Sequence, residues 1–143
     1  MSTWATQRLD ALTDQKTKLP PVITTLQLGG LDSWSPGHVK KTWTPTPDLL
    51  NGDGTMFGGY ISALADQILA FAAMTVVPND AHFRTSNLAV NFIRLSRANL
   101  ITIEAKAVSQ TRQVITTSAE FHRDDDKLFA TATATQFLQP IGG

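Results

Sequence analysis

Gly59-Tyr60-Ile61-Ser62-Ala63-Leu64-Ala65-Asp66-Gln67-Ile68-Leu69-Ala70-Phe71-Ala72-Ala73-Met74-Thr75-Val76-Val77 is apolar at almost every position, and Pro78-Asn79-Asp80 follows it. The stretch reads as one helix from Gly59 to about Val77, closed by the proline. It lacks a polar face, and a surface helix would show one, so the rest of the domain is expected to enclose it. It is too short, and too interrupted by Asp66 and Gln67, to be a membrane span.

Downstream the period changes from helical to alternating. Leu88, Val90 and Phe92 alternate with Asn87, Ala89 and Asn91, and Ile101, Ile103, Ala105 and Ala107 alternate with Thr102, Glu104 and Lys106. Val114 to Phe121 and Leu128 to Phe137 are rich in Thr, Ala and β-branched residues, with His122 to Lys127 as the loop between them. Four consecutive strands with short links predict an antiparallel meander. A long buried helix ahead of such a meander predicts a sheet curled around that helix, an α+β architecture.

Upstream, residues 3–16 place Ala5, Leu9 and Leu12 at helical spacing, and Pro20-Pro21 end that segment. Residues 1–20 therefore read as an N-terminal helix and linker. Ile23 to Leu28 reads as a short strand stopping at Gly29-Gly30. Val39 to Thr44 reads as another, entered through Pro36-Gly37 and left through Pro45 and Pro47. Leu49-Leu50-Asn51-Gly52-Asp53-Gly54 is a glycine-rich loop leading to Gly58-Gly59.

The 143 residues fit a single domain, 1–143. Lys plus Arg and Asp plus Glu each number 12, so no global field favours nucleic acid or an anionic membrane. Cysteine is absent, which excludes thiol nucleophiles and thiolate metal sites and suits a reducing compartment. Met1 to Leu12 contains no apolar run of signal or membrane type, and the expected location is cytoplasmic. His38, His82 and His122 lack metal-binding spacing, so no metal is expected. There is no Gly-x-Ser-x-Gly and no phosphate-binding loop. Arg84, Arg94, Arg97 and Arg112 read most simply as solvated surface charges.

Asp66 is the residue that demands a reason. Aspartate is a poor helix former and costly to desolvate, so its place in this helix implies either a structural carboxylate or a general base or nucleophile. Gly58 and Gly59 stand where the helix begins. Free N–H groups and the positive end of the helix dipole there suit an oxygen that gains negative charge, and a tight loop-to-helix junction is the structural alternative. Asn51 is either a turn residue beside Gly52 or a donor to the same carbonyl or to a water.

Leu49-Leu50-Asn51-Gly52, then Met56-Phe57-Gly58-Gly59-Tyr60, then Ala63-Leu64-Ala65-Asp66 resembles the hot-dog-fold acyl-CoA thioesterases of the phenylacetate-degradation (PaaI-like) type. Asn91-Phe92-Ile93-Arg94 and Gln110-Thr111-Arg112 extend the resemblance, which runs from roughly residue 25 to residue 138. It implies a hot-dog fold, an antiparallel sheet wrapped around one long central helix. It further implies that Asp66 directs a water at the thioester carbonyl or attacks it, that Gly58 N–H polarises that carbonyl, and that Asn51 helps hold it. Gly59, Asn87 and Arg112 become substrate-binding candidates, with Arg112 on the nucleotide end of coenzyme A. No cofactor is implied beyond the coenzyme A of the substrate. Two positions depart from the family: Phe57 stands where histidine is usual, and Ser96-Arg97 where a proline commonly ends the strand.

Hot-dog domains pair into dimers and often dimers of dimers, so a homo-oligomer, up to a homotetramer, is expected. Gly58 and Asp66 are eight positions apart, about 12 Å along a helix. One helix does not bring both to one carbonyl, and the resemblance agrees that two subunits share each site. Hot-dog hydratases and dehydratases place a histidine on the helix, and none lies between Gly58 and Val77. The reading from another class is a non-catalytic acyl-thioester or aromatic-ligand binding protein.

Overall fold

The computed structural model describes residues 2–14 and 17–142. Helix α1 (Trp4–Thr13) opens the chain. Thr3 and Thr6 start it with a capping box, each hydroxyl accepting from the other's backbone N–H, at 3.1 and 2.8 Å. Ala5, Leu9 and Leu12 are its buried stripe, as their spacing predicts. The expected helix reached residue 16, and positions 15 and 16 lie outside the described residues.

The strand expected over 23–28 is not formed. Helix α2 (Pro21–Thr25) occupies the start of that stretch, because Pro21 at the first helical position pre-sets the helical φ. The chain then turns through Gln27 (φ 52°) and Gly29 (φ 73°). Three successive carbonyls of this turn are captured by side chains from the body of the domain. Tyr60 Oη donates to Gln27 O at 2.6 Å, Lys41 Nζ donates to Leu28 O, and Gln67 Nε2 donates to Gly29 O at 2.7 Å.

Strands β1 (Ser33–Ser35) and β2 (His38–Trp43) form a hairpin, followed by a single 3₁₀ turn, Pro47–Leu49. The central helix α3 runs Gly58–Met74, and β3 (Ala81–Phe92), β4 (Ile101–Gln110), β5 (Val114–His122) and β6 (Leu128–Pro140) complete the chain. All six strands form one antiparallel sheet in the order β1-β2-β4-β5-β6-β3. Only β4, β5 and β6 form a meander. The expected four-strand succession is corrected at β3, which crosses over to pair with β6 and becomes the far edge. Burial explains the choice: β3 is exposed over most of its length, whereas β4 to β6 carry the apolar rows that cover α3.

Leu64, Ala65, Ile68, Leu69 and Ala72 of α3 are fully buried against the sheet. Small inward residues on β6, Ala130, Ala132 and Ala134, let the helix approach closely, and Phe121 and Phe129 fill the adjacent space edge to face at 5.8 Å. The result is the sheet-around-helix arrangement of the hot-dog fold. The enclosure is not complete, however. Gly59 and Asp66 are exposed and Ser62, Ala63 and Ala70 half-buried, a continuous stripe at helical spacing that the sheet leaves open. The apolar content around Asp66 reflects small alanines on this stripe and not full burial.

Candidate functional site

The loop ahead of α3 is built by its own short polar side chains. Asp53 accepts from the Thr55 N–H at 3.0 Å and the Thr55 hydroxyl at 2.6 Å, which holds its carboxyl below the usual range. Gly54 takes the left-handed conformation (φ 84°) that closes the bend. Met56 N–H donates to Ser96 O at 2.8 Å, and Thr55 bridges Arg97, so the Ser96-Arg97 pair is an anchor for this loop. Asn51 Nδ2 donates to Thr55 Oγ1 at 3.1 Å and to Met56 O at 3.2 Å. Both amide hydrogens are thus engaged within the loop, and Oδ1 is left without a hydrogen bond among the described residues.

The loop delivers the chain to Phe57, the N-cap of α3, which provides no side-chain cap. Tyr60 N–H and Ile61 N–H turn back to Phe57 O at 3.0 and 3.1 Å. The N–H groups of Gly58 and Gly59 have no acceptor among the described residues, so two donors and the positive helix end are available there. The glycines also make room for aromatic rings. A Cβ on Gly59 would lie 2.4 Å from the Phe57 ring, and one on Gly58 would lie 3.2 Å from the Phe92 ring. Phe57 and Phe92 are 54% and 56% exposed, so these rings form open walls beside the helix start. Residue alternation marks Phe92 as an inward position on β3, but only the fold puts it beside Gly58.

Asp66 lies two turns along the open stripe. Among the described residues it has neither a hydrogen bond nor an ion pair. Its carboxyl opens to solvent in a single chain, yet the surrounding protein removes enough water to push its pKa above the usual carboxylate value. The structure therefore presents an unpaired carboxylate of raised basicity on the same helix face as the free N–H groups. It also keeps them eight positions apart, about 12 Å along the axis.

The other sequence candidates are not brought to this stripe within one chain. Asn87 follows a bulge in β3 and pairs with Thr135. Leu88 and Val90 pack on the core, so alternation puts Asn87 on the opposite face of the sheet. Arg112 is exposed in the β4–β5 turn. That turn sits at the C-terminal end of α3, where Gln110 Nε2 donates to Val76 O at 3.0 Å, far from Gly58. Among the described residues no cluster of His, Asp or Glu has the arrangement of a metal site, and no helix is long and apolar enough to cross a membrane.

Lys41 is a buried charge that sequence reading missed. It is 1% exposed and donates to Gln67 Oε1 at 3.0 Å as well as to Leu28 O, and desolvation pulls its pKa down to about 8. Its only sequence signal is its inward position between Val39 and Trp43 on β2.

The family described as the thioesterase superfamily matches residues 53–130. No curated protein matches the sequence. Among solved structures, a phenylacetic acid degradation-related protein of Ralstonia eutropha JMP134 is 27% identical, with a TM-score of 0.79 over 90% of this chain and 98% of that one. A thioesterase family protein of Silicibacter pomeroyi is 23% identical, with a TM-score of 0.80 over 95% and 98%. A thioesterase protein of Streptococcus pneumoniae TIGR4, solved with coenzyme A, is 23% identical, with a TM-score of 0.68 over 77% and 84%. At that identity the last two bear on the fold alone.

Proposed function

The chain belongs to the thioesterase superfamily, and from that premise we propose that it hydrolyses acyl-coenzyme A thioesters to free acid and coenzyme A, with Asp66 as the catalytic carboxylate. The observation that carries this reading is the unpaired Asp66 on an open stripe of α3 whose first N–H groups are free. A carboxylate of raised pKa is a better base at neutral pH than an ordinary one. In this reading Asp66 takes a proton from water as the water oxygen bonds to the thioester carbon. The carbonyl oxygen becomes an oxyanion held by Gly58 N–H, with Gly59 beside it. Collapse breaks the C–S bond, and the proton on Asp66 passes to the leaving thiolate. Asn51 shapes the loop and offers its free Oδ1 to the attacking water. No cofactor enters these steps.

The 12 Å between Gly58 and Asp66 leads us to assign each site to two subunits of a homo-oligomer, the start of one α3 beside the middle of the other. Arg112, remote from the stripe within its own chain, contacts a coenzyme A phosphate at the edge of the assembled site, and Asn87 lies near the same assembled site. A cytoplasmic location accords with the cysteine-free sequence. The test is a panel of short aliphatic, aryl and long-chain acyl-CoAs with release of free thiol as the signal. Turnover of at least one class that depends on Asp66 supports the reading. Binding without turnover across the panel replaces it with a non-catalytic acyl-thioester binding protein.

A further inference from the structure

A cavity of about 560 Å³ opens between α1, α3 and the start of β3, walled by Trp4, Arg8, Ala70, His82, Phe83 and Arg84 among others. Among the described residues no acidic side chain lines it. Arg8 stacks over the Trp4 ring at 5.0 Å, and Arg84 donates to the Phe83 carbonyl at 3.0 Å. Among the described residues neither arginine forms an ion pair. The Nδ1 of His82 is buried without a hydrogen-bond partner among the described residues, a state that native proteins tolerate rarely and that calls for an explanation. Two unpaired guanidinium groups at one cavity are a local excess of positive charge in a chain whose charges otherwise balance.

The position of the cavity ties it to the proposed reaction. Ala70 follows Asp66 by one turn on the same helix face, about 6 Å along the axis, and Met74, also in the wall, lies about 12 Å from Asp66. A thioester with its carbonyl at Asp66 would therefore bring within reach of the cavity either the far end of a short acyl chain or, at the end of a folded pantetheine arm, a phosphate of the carrier. Trp4, Phe83 and Met74 supply apolar walls for the intervening atoms, and the arginines supply planar donors that match carboxylate or phosphate.

Resting on the thioesterase reading above, we propose that this cavity is an oxyanion-binding subsite in which Arg8 and Arg84 receive a negatively charged group of the substrate. That group is either the carboxylate at the far end of an acyl chain or a phosphate of the carrier. The oligomeric protein and its Arg8→Gln, Arg84→Gln and double variants are to be assayed on four thioesters. These are a six-carbon acyl group ending in carboxylate or in methyl, each on coenzyme A and on pantetheine. Losing one guanidinium–anion contact raises KM about tenfold. A rise confined to the two carboxylate-ended thioesters assigns the acyl terminus, and a rise confined to the two coenzyme A thioesters assigns the carrier phosphate. Equal effects on all four, or none on any, overturn the proposal. Arg8→Lys and Arg84→Lys keep the charge but lose the planar fork, so KM values between those of the wild type and the Gln variants are expected, which separates charge from planar recognition. Calorimetric titration with adipate and with inorganic phosphate reads the subsite apart from turnover. Heat that is present in the wild type and lost in the double variant supports the subsite even where no thioester is cleaved. No heat with either anion, in a protein that turns over none of the four thioesters, overturns it.

Discussion

Mixing two inactive variants should restore about a quarter of the wild-type activity. One is Asp66→Asn. The other is Gly58→Pro, which deletes the N–H at the first helical position, where proline is well tolerated. Hydrolysis needs the base and the oxyanion donor each within about 3 Å of one reacting centre. The two groups are separated by roughly 12 Å of helix, of which an aspartate side chain covers only a small part. Two α3 helices related by a twofold axis, each start beside the other's middle, remove the discrepancy. Losing one oxyanion donor costs about 100- to 1000-fold, so each parent is nearly inactive. When the chains are unfolded and refolded together in equal amounts, half the dimers are mixed. Each mixed dimer holds one site with both wild-type groups and one with both lesions, giving about a quarter of the wild-type rate. Gly58→Ala is the control, because it keeps the N–H. Its Cβ meets only the Phe92 ring at 3.2 Å, and that ring is open enough to shift. If activity stays at the parental level after subunit exchange is proven with differently tagged chains, the shared site is refuted.

Asp66→Asn alone should lower kcat by about two to four orders of magnitude with the fold retained, and activity within threefold of wild type would remove Asp66 from the chemistry. The raised pKa of Asp66 also sets signs. The acid limb of kcat/KM should fall above the usual carboxylate range. The folded state holds this proton more tightly than the unfolded chain, so its stabilisation is present in acid and lost as pH rises through the folded value. Asp66→Asn should then gain in thermal midpoint at neutral pH, a gain that shrinks in acid. Arg112→Ala should raise KM for an acyl-CoA far more than for the same acyl group on pantetheine, and equal effects would assign Arg112 to folding or to the acyl end. For Lys41, whose pKa falls from 10.5 to about 8, the unfolded chain binds the extra proton. Wild-type stability should gain about 3 kcal/mol from this group as pH rises from below 8 to above 10.5. Lys41→Met should lack that slope in urea unfolding at the two pH extremes, and parallel slopes would show that Lys41 is not desolvated.

The central helix, its start at the glycine pair and the strands β2, β4, β5 and β6 were legible in the chain itself, because helix and strand periods are local properties of which positions are apolar. Asp66 stands out for the same reason, as a charge inside an apolar run, whereas Gly58 and Asn51 fit a helix start and a turn equally well and are singled out by the resemblance. In the 23–28 segment the β-branched residues favour a strand, but Pro21 at a helix start outweighs them. The place of β3 was not local information. Its alternation fits any sheet position, and only the competition among strands to cover α3 sent it to the edge beside β6. The burial of two charged residues is likewise set by packing. Lys41 is enclosed because the turn at residues 27–29 supplies carbonyls to it, and Asp66 is open because the sheet covers one side of α3 and stops. The cavity of Arg8, His82 and Arg84 joins residues more than 70 positions apart in sequence, which no window along the chain brings together. Periodicity states that a residue belongs to a helix or a strand. What covers each face of that element, and which distant charges meet beside it, is decided by packing.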